Sequence, residues 1–303
     1  MVFGLSLVSI YESYLRYCCS SAGLSSQTIQ LDDETTMHFW GPKLGPNHVS
    51  KPSLILLHGF GPSRIWQWRQ QATFFASYYN VFVPDLVFFG QSTTKSKERS
   101  EVFQALCIAK MMEKIGVNKY DVVGTSYGGF VAYRMGNLWG ERVGKVVIAS
   151  SVVNMTKGDN EGLIKRAQGV ENIEELLLPS TSEQMRTLLG LSVFKQRSYT
   201  PDFLLNDIID TLYRENRREK MELLKGLTIG HNDIPTVTPL PQEVLIVWGE
   251  NDQIFQLEKA TELQKLLGEN AKLEIMKDTS HLPQIENAGQ FNNIVKGFLC
   301  PNQ

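Results

Sequence analysis

The chain has 303 residues, of which 42% are hydrophobic and 20% charged, and its formal net charge is -2. This composition is typical of a globular protein with a sizeable core. The lack of a basic excess argues against nucleic acid as a partner. The four cysteines show neither a metal-ligand spacing nor a disulfide framework, so we expect no metal and a reducing, cytoplasmic environment.

The first 27 residues are expected to form a separate helical segment. Residues 1–19 are apolar but interrupted by Glu12 and Arg16, so they are too short and too polar to span a membrane. A secretion signal is not expected, because the segment lacks a basic start and a small-residue cleavage site. Three interpretations stay open: a helix packed on the protein body, a peripheral membrane contact through residues 1–19, or disorder.

Strand-like and helix-like patterns alternate along most of the chain. The strand patterns are short runs of Val, Ile and Leu, which are typical of parallel strands covered on both faces. Amphipathic helical patterns lie between them. We therefore predict an α/β fold with a doubly wound, mostly parallel sheet. The predicted strands are 53–58, 80–85, 120–124, 143–150, 243–249 and 271–276, and the predicted helices include 102–115, 130–138, 257–267 and 290–299.

The alternation is interrupted between residues 153 and 239, where charged helical patterns occur without a convincing strand. This segment separates two predicted core strands, so it is interpreted as a helical insertion. Ligands of open α/β sheets bind beyond the carboxyl ends of the strands, where an insertion would form a lid. The chain then divides into an N-terminal helical segment at 1–27, a core at 28–152 and 240–303, and a helical cap at 153–239.

A glycine-rich turn surrounds Ser126 in the sequence Gly-Thr-Ser-Tyr-Gly-Gly, directly after a predicted strand and before a predicted helix. In this context G-x-S-x-G is typical of a nucleophile elbow, a sharp turn that lifts a serine hydroxyl clear of the sheet. A nucleophilic serine needs a base and an orienting acid, which follow the serine in the order acid, histidine. Asp252 follows one later strand and His281 follows the next. We predict these three as catalytic, with Glu250 and Asp278 as rival acids.

A second glycine turn, His-Gly-Phe-Gly at 58–61, follows the first predicted core strand. We expect the backbone N–H groups of Phe60 and Tyr127 to stabilise an oxyanion. His58 is expected to brace the turn and to take no part in acid–base chemistry. The substrate pocket is predicted to include Gly59, Gly61, Trp248 and Leu282.

Together these motifs resemble those of the α/β-hydrolases. The segments H-G-F-G, D-L-V-F-F-G-Q-S, G-T-S-Y-G-G, W-G-E-N-D and S-H-L-P-Q-I-E stand in the order found in that family. The resemblance covers nearly the whole chain beyond residue 28 and is greatest to plant single-domain members that are monoacylglycerol-lipase-like or meta-cleavage-hydrolase-like. It implies a sheet of eight mostly parallel strands, a helical cap after the sixth strand, and no cofactor.

Departures from the family patterns narrow the expected chemistry. Dehalogenases and epoxide hydrolases of this fold have aspartate at the elbow, where this chain has Ser126. Meta-cleavage C–C hydrolases usually have tryptophan after the catalytic histidine, where this chain has Leu282. They also use an arginine of the cap. This chain has no arginine at the matching position, although Arg197 or Arg214 could replace it.

We therefore predict a serine hydrolase that cleaves a carboxylic ester of an apolar small molecule or lipid through an acyl-enzyme on Ser126. The alternatives are a C–C bond hydrolase of the meta-cleavage type, a small-molecule receptor that retains the triad, and an acyltransferase. The oligomeric state is left open.

Overall fold

The apolar runs of the sequence form the centre of one sheet in the computed structural model, which describes residues 6–43, 51–62, 65–195 and 200–300. The strands are β1 (Leu24–Gln30), β2 (Thr35–Pro42), β3 (Ser53–Leu57), β4 (Asn80–Pro84), β5 (Thr93–Thr94), β6 (Tyr120–Thr125), β7 (Val143–Ala149), β8 (Val244–Gly249) and β9 (Ala271–Met276). They lie in the order β1-β2-β4-β3-β6-β7-β8-β9, with β5 paired to β2. Pairing is antiparallel from β1 through β2 to β4 and parallel from β4 to β9. The expected α/β fold with a mostly parallel sheet is confirmed.

Helices cover both faces of the sheet and fill the segment between β7 and β8. The α-helices are α1 (Leu7–Ser21), α2 (Ile65–Phe75), α3 (Glu101–Lys114), α4 (Tyr127–Leu138), α5 (Lys157–Arg166), α6 (Ile173–Leu177), α7 (Ser182–Ser192), α8 (Asp202–Ile208), α9 (Arg217–Lys225), α10 (Leu257–Leu267), α11 (Pro283–Glu286) and α12 (Ala288–Leu299). A π-helical turn at Ile209–Tyr213 continues α8, and a 3₁₀ turn at Gly268–Asn270 follows α10.

The two faces of the sheet belong to two separate hydrophobic cores. Within β3, Ile55 and Leu57 pack into the core under α3, α4 and α10, whereas Leu54 and Leu56 pack into the core under α1, α2 and α12. All four side chains are completely buried. This alternation follows from the two-residue period of a strand, and burial on both faces explains the continuous apolar runs.

The strands β1 and β2 were not anticipated from the sequence. In β1 only Leu24 is buried, and half-buried and exposed residues alternate after it; the exposed positions are Ser, Thr and Gln, so the apolar signal of this strand is weak. Residue 28, where the core was expected to begin, lies within this strand. The division into N-terminal segment, core and cap stays a prediction.

The N-terminal helix α1 is packed on the body of the protein. Val8, Leu15 and Cys19 are buried, and the Tyr11 ring meets the Trp66 ring edge-on at a centroid distance of 5.1 Å. Residues 1–5 lie outside the described residues. Among the described helices, none has both the length and the apolar character that a membrane span requires.

Candidate active site

Ser126 lies on a strained turn between β6 and α4. Its φ and ψ angles are 51° and -120°, a conformation that costs a non-glycine residue about 1–3 kcal/mol. The surrounding glycines are required because a Cβ at Gly124 would overlap the Gly128 carbonyl, and one at Gly128 would overlap the Leu57 carbonyl. The Ser151 hydroxyl donates to the carbonyl oxygen of Ser126 at 2.6 Å, which holds the turn. The local geometry is that of the elbow expected from the sequence.

The structure brings Ser126, His281 and Asp252 together at the carboxyl ends of three strands. The Ser126 Oγ lies 3.0 Å from His281 Nε2, and His281 Nδ1 lies 2.9 Å from Asp252 Oδ2. The other carboxylate oxygen of Asp252 accepts hydrogen bonds from the N–H groups of Ile254 and Phe255, both at 2.9 Å. Asp252 and His281 are 2% and 6% exposed. This arrangement allows a proton to pass from the hydroxyl to the imidazole.

The loops that carry the acid and the histidine are joined directly. The N–H of Asn251 donates to the carbonyl of Thr279 at 2.9 Å, and a Cβ at Gly249 would overlap the carbonyl of Ser280. Glu250 and Asp278, the rival acids, are both exposed. Asp252 is therefore the carboxylate that reaches the imidazole.

The turn at residues 58–61 runs beside the serine. A Cβ at Gly59 would lie 3.0 Å from the Cβ of Ser126, and the rings of Phe60 and Tyr127 are in contact at a centroid distance of 5.7 Å. His58 is completely buried, and its Nε2 accepts from the N–H of Leu86 at 3.0 Å, as expected of a bracing residue. An oxyanion-binding role for the N–H groups of Phe60 and Tyr127 stays a prediction.

A cavity of about 220 Å³ opens at Ser126. Core residues form one wall, and helices of the inserted segment form the other. The walls are mostly apolar, with a carboxylate at Glu174 and an amide at Asn160. None of the described residues that line the cavity is cationic. The apolar lining includes Phe60, Phe130, Leu163, Leu224 and Phe255.

The predicted pocket residues do not line this cavity, so that prediction needs correction. Trp248 is completely buried, and its Nε1 donates to the Phe255 carbonyl at 2.8 Å, which supports the loop after β8. Leu282 lies along a separate groove of about 870 Å³. Gly59 and Gly61 act through the backbone: Gly59 lets the turn approach Ser126, and Gly61 has a φ of 126° that favours glycine.

Glu174 and Asn160 were missed because a helical pattern does not show which side of the inserted segment faces the serine.

The phenol of Tyr127 is also buried beside the site. Tyr127 is 2% exposed, and burial raises the pKa of its hydroxyl group. Within the described ranges, His, Cys, Asp and Glu side chains form no group that could hold a metal ion.

Comparison with known proteins agrees with this architecture. A family model of the alpha/beta hydrolase fold matches residues 52–288. The chain is 25% identical over 260 residues to the 2-hydroxy-6-oxononadienedioate/2-hydroxy-6-oxononatrienedioate hydrolase of Paraburkholderia phymatum, covering 83% of this chain and 88% of that protein. It is 26% identical over 259 residues to the hydrolase of the same name from Escherichia coli strain K12, covering 82% and 87%.

Among solved structures, a bacterial membrane phospholipase A matches with a TM-score of 0.78 and 22% identity, over 97% of this chain and 90% of that one. The 2-hydroxy-6-oxo-6-phenylhexa-2,4-dienoate hydrolase of Rhodococcus sp. strain RHA1 matches with a TM-score of 0.75 and 22% identity, over 91% and 98%. The chain therefore belongs to the alpha/beta hydrolase family and is a hydrolase of that family.

Proposed function

We propose that the chain is a serine hydrolase whose nucleophile is Ser126. The observation that carries the proposal is the hydrogen-bonded chain from the Ser126 hydroxyl through His281 to Asp252. His281 Nε2 takes the hydroxyl proton as the oxygen attacks a carbonyl, and later gives that proton to the leaving group. Asp252 fixes the imidazole tautomer, because it accepts from Nδ1. The N–H groups of Phe60 and Tyr127 stabilise the tetrahedral oxyanion, and water then releases the acyl group.

We further propose that the substrate is a neutral carboxylic ester with an apolar portion. The walls of the cavity at Ser126 are mostly apolar, and Glu174, the one carboxylate among the described lining residues, would repel an acidic substrate. Such a site gains affinity by burying hydrocarbon and gains nothing from a substrate carboxylate.

Hydrolysis of a C–C bond is the second candidate, and the names of the relatives favour it. Those proteins act on dienedioates, which carry two carboxylates, and a site for them needs a cation. Arg214 is 71% exposed and is paired with Asp210 at 2.8 Å, while Arg197 lies outside the described residues. Lys220 is buried over the Phe89 ring at 5.0 Å from its centroid but does not line the cavity. The described cavity therefore supports the ester better.

An assay that offers the protein either p-nitrophenyl butyrate or a 2-hydroxy-6-oxodienoate separates these candidates. Wild-type protein is expected to hydrolyse p-nitrophenyl butyrate, and a fluorophosphonate probe is expected to label Ser126 covalently. Ser126→Ala should lower kcat by up to about 10⁶-fold without unfolding the protein, and His281→Ala should suppress labelling.

The other outcomes either support a different activity or refute the mechanism. Turnover of a 2-hydroxy-6-oxodienoate without turnover of the ester would establish C–C hydrolysis. Butyryl transfer to added glycerol in preference to water would identify an acyltransferase. Ligand-dependent partner binding that survives Ser126→Ala, with no turnover, would identify a receptor. Normal ester hydrolysis by Ser126→Ala would refute the proposed mechanism.

A further inference from the structure

The helix α7 of the inserted segment ends against the loop that carries His281. The last carbonyl groups of a helix have no partner within it, and here they bind this loop. The Ser192 carbonyl accepts from the N–H of His281 at 3.1 Å, and the Leu191 carbonyl accepts from the Ser280 hydroxyl at 3.1 Å. The backbone of the histidine is therefore attached to the segment that covers the site.

Glu286 in α11 completes this attachment. One of its carboxylate oxygens accepts from the N–H of Ser280 at 2.7 Å, and the other accepts from the N–H of Phe194, just beyond α7, at 2.7 Å. Both bonds are short, as is usual when the acceptor is charged. One carboxylate thus joins the residue before His281 to the chain leaving α7.

We propose that Glu286 is a positioning residue that aligns His281 by tying its loop to α7. The inference rests on the proposed function, in which the imidazole must stay within proton-transfer distance of Ser126. A displacement of about 1 Å at a reacting group can cost about 100-fold in rate. The Ser280 backbone is one peptide unit from His281, so a shift there moves the imidazole directly. Glu286 itself does not touch the reacting atoms.

The test replaces the carboxylate with an amide. Glu286→Gln keeps one acceptor oxygen and presents an NH₂ group to the other N–H, which loses its acceptor. We expect kcat for p-nitrophenyl butyrate and the fluorophosphonate labelling rate of Ser126 to fall by about tenfold or more, with KM changed less than about twofold. Glu286→Asp, which retains the charge on a shorter side chain, should recover part of the loss.

A matched control is Asp278→Asn, which removes an exposed carboxylate from the same loop and should leave both rates unchanged. Rates are expressed per site titrated with the probe, so unfolded protein does not enter them. Ser280→Ala removes the hydroxyl bonded to the Leu191 and Asn251 carbonyls, and should lower kcat in the same direction.

A purely structural role would lower the melting temperature and the titratable fraction but leave the rates per titrated site at the wild-type value. That result in both Glu286→Gln and Ser280→Ala would overturn the inference. Failure of the proposed function has a different signature, because the wild-type protein itself would then hydrolyse no ester.

Discussion

At the residue scale, Glu174 gives the cavity its only carboxylate among the described lining residues. Its Oε1 lies 3.9 Å from Lys225 Nζ, whose side chain is 68% exposed. An exposed pair at this distance is weak and screened by solvent. We therefore expect the carboxylate to repel an acidic substrate that reaches this wall.

Glu174→Leu is expected to relax the discrimination against acidic substrates. Wild-type protein should prefer p-nitrophenyl butyrate to p-nitrophenyl hemisuccinate, which has the same acyl length and a carboxylate. The variant should reduce the ratio of their kcat/KM values by about tenfold, the effect of removing roughly 1.4 kcal/mol of repulsion. Lys225→Met is the control, since it removes the partner cation and leaves Glu174 in place. An unchanged ratio in Glu174→Leu would show that this wall does not select the substrate.

The sequence allowed the meeting of three residues at one site to be predicted more completely than the lining of the cavity. Ser126, Asp252 and His281 each follow a strand, so topology alone brings them to one edge of the sheet. Trp248 was misjudged because alternation along β8 points its side chain into the core. Glu174 could not be found, since its place depends on how α6 packs against the core.

At the element scale, α1 is attached to α8 by a carboxylate. Asp207 Oδ2 accepts from the N–H of Val8 at 3.0 Å, one of the N-terminal N–H groups that lack a partner within the helix. Burial opposes ionisation of Asp207, but hydrogen bonds from Ser6, Val8, Thr211 and Leu7 outweigh it and lower its pKa. Because its pKa is lower in the folded state, this contact stabilises α1 above the unfolded pKa of about 4 and is lost as the pH falls through the folded value.

Asp207→Asn should therefore loosen α1 at neutral pH. A helix cap contributes about 1 kcal/mol, so limited proteolysis should cut residues 1–21 about fivefold faster, measured by mass spectrometry. Wild-type protein should show the same susceptibility only below about pH 4. Asp210→Asn, which changes an exposed carboxylate nearby, is the control. Equal cleavage rates in wild type and Asp207→Asn would contradict this account of α1.

Regular apolar elements were predicted closely, whereas the inserted helices were not. The helix expected at 257–267 coincides with α10, and the strand expected at 271–276 coincides with β9. Among the charged helical patterns expected between residues 153 and 239, the longest runs from 201 to 227. The structure divides it, because Asn216 has a left-handed φ of 50° between the π-helical turn and α9. Asparagine tolerates that conformation better than most residues, and its presence in a helical pattern was a weak signal of the break.

At the scale of the whole molecule, α1 presents an apolar face to solvent. Leu7, Ile10, Tyr14 and Tyr17 recur at helical spacing and are 52%, 51%, 51% and 70% exposed. The charged groups of α1, Glu12 and Arg16, are paired with each other at 2.6 Å. Tyrosine is enriched where proteins meet the surface of a bilayer. This exposed face therefore favours the predicted peripheral membrane contact, which stays a prediction.

Vesicle binding tests that contact. We expect the protein to sediment with phosphatidylcholine vesicles, and the combined changes Ile10→Ser and Tyr17→Ser to reduce partitioning by about tenfold or more through lost apolar burial. Leu138→Ser, at an exposed apolar position on α4, should have no effect. Hydrolysis of p-nitrophenyl butyrate in solution should be the same for all three proteins. Absence of binding by wild-type protein would remove the membrane interpretation.

The path of the chain through the inserted segment has a consequence for divergence. The segment leaves the sheet after β7 and returns at β8, and these strands are direct neighbours. Because the two strands are parallel, the segment starts at the carboxyl end of β7 and finishes at the amino end of β8, so its ends are fixed about one strand length apart. The closure entropy of such a long connection rises only with the logarithm of its length. Residues can be gained or lost there with little strain on the sheet. Substrate specificity can therefore change between relatives of this fold while the residues at the ends of the strands are retained.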